Sequence, residues 1–163
     1  PPRSTLFPYT TLFRSRKKLI ADMIGLLGGR AAEELVFDDI TSGASNDIER
    51  VTQLARTMVT RLGMSEIMGP MVYGQKEELI FLGREISEQR DYSDAVAEQI
   101  DKEVRTLVNE AYNRARQILT DYREKLDAVA KRLLEVETLS KDEFEKIFPP
   151  PVEKKVSPAI VNQ

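Results

Sequence analysis

The sequence predicts an all-α domain, and three observations carry that reading. Apolar residues recur near every 3.6 positions over long stretches, clusters of β-branched residues are scarce, and helix-start signals stand ahead of the periodic runs. No run of about 20 apolar residues occurs, so no stretch of the sequence reads as a membrane-spanning helix. A chain of 163 residues fits one domain with a modest core of its own.

The first helix is predicted over residues 17–37, where Leu19, Ile20, Met23, Ile24, Leu27, Ala31 and Leu35 share one face. Gly28-Gly29 lies inside it and costs about 1–2 kcal/mol relative to two alanines. The pair either breaks the helix or lets another helix or a strand come close. Residues 38–45 are rich in turn formers and form a loop. Ser45 or Asn46 is the expected cap of the next helix, and Glu49 follows Asn46 by three residues, as a capping box requires. That helix runs to Leu62. Ile48, Val51, Leu54, Ala55, Met58, Val59 and Leu62 make its apolar face, with Arg50, Gln53, Arg56, Thr57 and Arg61 toward solvent. Gly63, Gly69-Pro70 and Gly74 mark an irregular region, in which Leu79-Ile80-Phe81-Leu82 forms a short strand or a loop that docks by its side chains.

Ser93 is the expected cap of the longest helix, which extends to about Leu119. Ala97, Ile100, Val104, Leu107, Val108, Ala111, Ala115, Ile118 and Leu119 follow its stripe. Asp121 or Thr120 caps a further helix to about Glu135, with Leu126, Val129, Ala130, Leu133 and Leu134 inward. The short connection makes these two helices antiparallel neighbours. Ser140 with Glu143 forms a capping box for a last short helix, and Leu139 with Phe144 is placed as a hydrophobic staple. Phe148-Pro149-Pro150-Pro151 stops that helix, because proline lacks the N–H and its ring clashes with the preceding turn. Residues 149–163 carry few apolar groups and read as a disordered tail.

The two ends of the sequence differ from its middle. Thr5-Leu6-Phe7-Pro8-Tyr9-Thr10-Thr11-Leu12-Phe13-Arg14-Ser15 reads as one translated frame of a common short-read sequencing adapter, so residues 1–15 are expected to be foreign. On that reading the native chain starts near Arg16 and was cut short where the read began. Setting the stretch aside removes Arg3 and Arg14, taking the formal net charge from −3 to −5. An acidic balance without a basic stripe argues against a nucleic-acid partner. There is no cysteine, which leaves neither a disulfide framework nor a thiolate metal site.

Two groups of residues bear on chemistry. Asp47 stands in the first turn of a predicted helix, where a carboxylate favours the helix dipole by about 0.3–1 kcal/mol. It is also a hard oxygen donor of the kind catalytic zinc accepts. Glu33 and Glu34 are adjacent on a helix, so about 100° separates them and both cannot point inward. The sequence holds no histidine.

Gly28-Gly29-Arg30-Ala31-Ala32-Glu33-Glu34 followed by Thr41-Ser42-Gly43-Ala44-Ser45-Asn46-Asp47 resembles the middle of the protease domain of FtsH-type ATP-dependent zinc metalloproteases. Later landmarks are similar too: Met58-Val59-Thr60-Arg61-Leu62-Gly63-Met64-Ser65, Met68-Gly69-Pro70, Phe81-Leu82-Gly83-Arg84, Tyr92-Ser93, Ile100-Asp101-Lys102-Glu103-Val104 and Ala111-Tyr112-Asn113-Arg114-Ala115. The likeness covers residues 16–148. It implies that Asp47 is the third zinc ligand, beside two histidines of an upstream His-Glu-x-x-His helix whose glutamate is the general base. That motif is absent here. The resemblance makes Glu33 the better candidate for a carboxylate that holds a ligand histidine through its ring N–H, and gives Gly43, Ser45 and Asn46 the role of shaping the loop that presents Asp47. It further implies a Zn2+ cofactor, an AAA module using ATP and Mg2+, a homo-hexamer anchored in the bacterial inner membrane with this domain in the cytoplasm, and polypeptide substrates. Neither ATPase motifs nor membrane helices are in this sequence. The competing reading is a non-catalytic helical hexamerisation module with a degenerate metal site.

Overall fold

The computed structural model describes residues 14–74 and 92–149. Every regular element among them is helical, as the periodicity predicts, and the only bridge between extended residues is an isolated pair, Ser65 with Gly69. None of these helices is long and apolar enough to cross a membrane. The expected strand or docking loop at Leu79-Ile80-Phe81-Leu82 lies outside the described residues. So do residues 1–13 of the expected foreign stretch and residues 150–163 of the expected tail. The chain divides into two compact units, one up to Thr120 and the other from Asp121.

In the first unit, α1 spans Arg16–Phe37. Ser15 caps it, its hydroxyl accepting from the Lys18 amide at 3.2 Å. The helix ends at Asp38, whose φ of 52° is left-handed and whose N–H reaches the Glu34 carbonyl. Gly28-Gly29 does not break it. Nor does anything approach the pair among the described residues, since a Cβ at position 25, 28 or 29 would meet no atom within 4 Å. The break is therefore not formed, and no described element makes the close approach.

A short 3-10 turn, Ser42–Ala44, leads directly into α2, Ser45–Thr60. The expected cap at Ser45 or Asn46, with its box to Glu49, is therefore not formed. The 3-10 turn has already wound the chain at Ser45, so both residues are helical, and the side-chain cap moves upstream to Thr41. The apolar face of α2 buries Val51, Ala55, Met58 and Val59, but Ile48 and Leu62 stay exposed. Ile48 sits on the outer edge of the first turn, and Leu62 lies past the end of the helix, where the 3.6 period no longer applies.

The chain then turns at Gly63, which adopts φ 57°. Met64 returns its N–H to the Met58 carbonyl at 3.0 Å. Buried Ser65 donates to the Glu103 carboxylate at 2.6 Å and accepts from the Met68 amide at 3.0 Å. The Tyr73 hydroxyl closes the loop on the Met68 carbonyl at 2.8 Å. This irregular region is thus ordered by polar pairs, within itself and to Glu103, rather than by a ladder.

The longest helix, α3, spans Asp94–Asp121, and the Ser93 hydroxyl accepts from the Val96 amide at its start. Its stripe Ile100, Val104, Leu107, Ala111, Ala115 joins Leu19, Met23, Leu27, Ala31 of α1 and the buried face of α2 in one core. Alanines at three of these helix faces permit close approach without a cavity.

The second unit holds α4, Arg123–Val136, and α5, Lys141–Ile147. The residue ahead of α4 is Tyr122, with no side-chain cap, so neither Thr120 nor Asp121 plays the expected part. Both are consumed by α3, and the Thr120 hydroxyl donates back to the Arg116 carbonyl at 2.9 Å instead. Ser140 and Glu143 do form the predicted capping box. Tyr122 and Phe148 meet edge to face at 5.1 Å. Neither helix has a fully buried residue. Ala130, Leu133 and Leu134, expected to face inward, are exposed, because a helix as short as α5 covers only part of the α4 stripe.

Candidate functional site

The residues singled out by the sequence lie on α1 and α2 but do not share one site: Asp47 lines a groove between the helices, and neither Glu33 nor Glu34 is among the groove's lining residues. α1 is continuous because its buried residues Leu19, Met23, Leu27 and Ala31 hold one face against the core, and that continuity carries Glu33 and Glu34 into its last turns. The 3-10 turn then fixes where α2 begins, which puts Asp47 in its first turn. The Asp47 side chain is 44% exposed, and a loose ion pair links it to Arg50 at 3.7 Å. It lines a groove of about 670 Å3 between the two helices, with Asp22, Gly25 and Leu26 from α1 and Gln53 and Leu54 from α2. Asp22, which sequence reasoning did not single out, is held by Lys18 at 2.8 Å. Nothing in the sequence marks it beyond an ordinary i,i+4 ion pair.

Glu33 and Glu34 diverge as helix geometry requires. Glu33 turns to the loop, where its carboxylate accepts from the Thr41 hydroxyl at 3.0 and 3.1 Å and from the Thr41 amide at 3.4 Å. Glu34 turns to α3, accepting from the Tyr112 hydroxyl and facing Arg116 at 3.9 Å. Gly43 donates its N–H to the Thr41 hydroxyl at 3.1 Å. A Cβ there would come within 3.2 Å of the same oxygen, a tight contact that would push on the Thr41 hydroxyl. Thr41 and Tyr112 were quoted in the motifs without a role. Only the fold shows that each is the partner of one glutamate.

Asp47 suits a single metal ligand: a carboxylate with lone pairs open to the groove and no tight partner of its own. The donor set does not go further. Among the described residues no group of three or more His, Cys, Asp or Glu side chains could hold a metal ion, and the sequence has neither histidine nor cysteine. The described residues thus bring no second ligand beside Asp47.

The model of peptidase family M41 matches residues 5–147, beginning inside the stretch read as foreign. An ATP-dependent zinc metalloprotease FtsH 1 of Thermomicrobium roseum is 53% identical over 139 residues, covering 85% of this chain and 21% of the relative. The ATP-dependent zinc metalloprotease FtsH of Thermotoga maritima is 51% identical over 142 residues, 87% of this chain and 23% of the relative. The protein of the same name from Bacillus subtilis is 44% identical over 137 residues, 83% and 22%. The chain thus spans about a fifth to a quarter of the length of the curated relatives it matches.

Proposed function

The chain belongs to peptidase family M41, and from that membership we propose that it is a segment of an ATP-dependent zinc metalloendopeptidase that degrades unfolded or membrane-extracted proteins. Its own part is to supply the third zinc ligand, Asp47, together with the helical scaffold that presents it. The observation that carries this reading is the position of Asp47: in the motif Thr41-Ser42-Gly43-Ala44-Ser45-Asn46-Asp47, on the first turn of α2, with its carboxylate lining a groove.

Zinc, when bound, would lower the pKa of a water toward 7 and polarise the scissile carbonyl. The residues of this chain do the positioning. α2 fixes the direction of the Asp47 carboxylate, Arg50 balances its charge at a distance that leaves its oxygens available, and Gly25 with Leu26 contributes an apolar part of the groove wall beside Asp22. The histidines and the general-base glutamate would come from a His-Glu-x-x-His helix outside this sequence. ATP with Mg2+, the homo-hexamer, the bacterial inner membrane and the cytoplasmic placement of the domain are likewise assigned to the whole enzyme. The reading as a non-catalytic hexamerisation module has no particular observation in its favour.

Two measurements test this. In a full-length enzyme carrying this segment, Asp47→Ala abolishes peptide hydrolysis and leaves ATP hydrolysis largely intact; unchanged proteolysis would refute the ligand role. The 163-residue chain alone takes up no stoichiometric zinc against a mild chelator, since one carboxylate does not replace imidazole ligands at neutral pH.

A further inference from the structure

We propose that Thr41 is a positioning residue for Asp47, acting as the node of a hydrogen-bond latch between the end of α1 and the start of α2. The inference rests on the zinc-ligand reading of Asp47.

The start of α2 has no side-chain cap of its own: Ala44 precedes it and offers none. Its place is set by the 3-10 turn before it, which depends on Thr41. The Thr41 hydroxyl donates to Glu33 of α1 and at the same time accepts from the Gly43 amide at 3.1 Å. The Thr41 amide also points at Glu33, at 3.4 Å. One carboxylate therefore grips both the side chain and the backbone of Thr41, and the hydroxyl passes the constraint to Gly43. The turn then closes with the Ser45 N–H on the Ser42 carbonyl, and α2 begins. Ala44 within the turn is buried.

Two features say that the latch is built rather than incidental. The loop is closely packed at position 43, where a Cβ would press on the Thr41 hydroxyl at 3.2 Å and touch the Glu33 carboxylate at 3.5 Å. In addition, Thr41 uses both the donor and the acceptor capacity of its hydroxyl, so neither valine nor alanine reproduces it. Asp47 is the third residue after the turn. A carboxylate on the first turn of a helix moves with that turn, and small misplacements of a ligand are expensive in a metal site. Glu33 thus acts on the metal corner through Thr41 and the turn.

The test compares Thr41→Val, which keeps the shape and removes both hydrogen bonds, with Thr41→Ser, which keeps them. In a full-length enzyme carrying this segment, Thr41→Val is expected to lower kcat and to speed loss of zinc to a chelator, each by about tenfold or more. KM for a short peptide and the ATPase rate stay within about twofold, and Thr41→Ser restores both affected quantities. Glu33→Gln combined with Thr41→Val is no worse than the more damaging single change, because both act through one latch. In the 163-residue chain, Thr41→Val accelerates hydrogen exchange at the Gly43 amide. Wild-type kcat and zinc release in Thr41→Val would overturn the proposal, as would a Thr41→Ser enzyme no better than Thr41→Val. Asp47→Ala, measured alongside, separates the two readings. If it loses zinc and activity while Thr41→Val is normal, only the latch fails; if it keeps both, the ligand reading falls and the latch proposal with it.

Discussion

At Gly63 the backbone adopts φ 57°, and a Cβ built there would lie 2.9 Å from the Pro70 Cα and 3.1 Å from its carbonyl carbon. Backbone atoms cannot rotate away as a side-chain tip can. Gly63→Ala is expected to destabilise the first unit by about 2 kcal/mol or more, combining left-handed strain with the clash, as read by urea unfolding. Gly28 makes the opposite case. It is helical, and an added methyl group would meet nothing within 4 Å. Gly28→Ala should stabilise the 163-residue chain by about 0.5–1 kcal/mol in the same measurement. If it does so while impairing a full-length enzyme, the space over Gly28 is occupied there by a helix or strand outside this sequence. The sequence separates a helical glycine from one in a turn; the φ value and the neighbours decide what a methyl group would cost at each.

Among the elements, α5 shows most directly how a short helix is held. Ser140 and Glu143 exchange hydrogen bonds, and Arg132 of α4 bridges Glu143 at 3.2 Å and Glu135 at 3.0 Å. The Ser140 amide and hydroxyl, followed by Arg132, hold the Glu143 carboxyl below the usual carboxylate range. The Arg132 guanidinium is raised in turn, chiefly by its bonds to Glu135 and Glu143. A carboxylate with a lowered folded-state pKa stabilises the fold above its unfolded pKa, and that contribution is lost as pH falls through the folded value. The box should therefore open on acidification and be insensitive to pH near neutrality. NMR of the Ser140 and Glu143 amides across an acid titration checks this, and Glu143→Gln should abolish the acid transition. Ser140→Ala should cost about 1 kcal/mol of α5 stability. This capping box was legible in the sequence because four consecutive residues define it. The caps of α2 and α4 were not, because whether Ser45 and Thr120 are first residues or interior residues depends on how the preceding turn or helix ends.

On the scale of the molecule, buried apolar surface is concentrated in the first unit. Met23, Val51, Met58, Val59 and Ile100 are its largest fully buried side chains. Met58→Ala is expected to cost about 2–5 kcal/mol through lost contacts and an unfilled cavity, measured as a shift in urea midpoint with little change in slope. The second unit has no fully buried residue in either helix, and Leu134 is 88% exposed. A peptide of residues 121–148 should accordingly show only weak helicity by circular dichroism, since short helices rely on packing rather than on propensity. Strong, cooperatively melting helicity in that peptide would contradict this account.

The sequence by itself determined the helical class, the extent of α1 and α3 within one or two residues, the faces that form the core, and the family to which the chain belongs. These are properties of local period, local capping and ordered motifs, which neighbouring residues along the chain suffice to specify. It also singled out Asp47, through its resemblance to a family, as a candidate metal ligand. The tertiary structure decided the rest. It sent Glu33 to Thr41 and Glu34 to Tyr112, moved the cap of α2 upstream, and left Gly28-Gly29 helical and open among the described residues. It showed that Leu133 and Leu134 remain exposed. Each of these outcomes depends on which groups from distant parts of the chain arrive at the same place, and a hydrogen bond or a buried face exists only when its partner does.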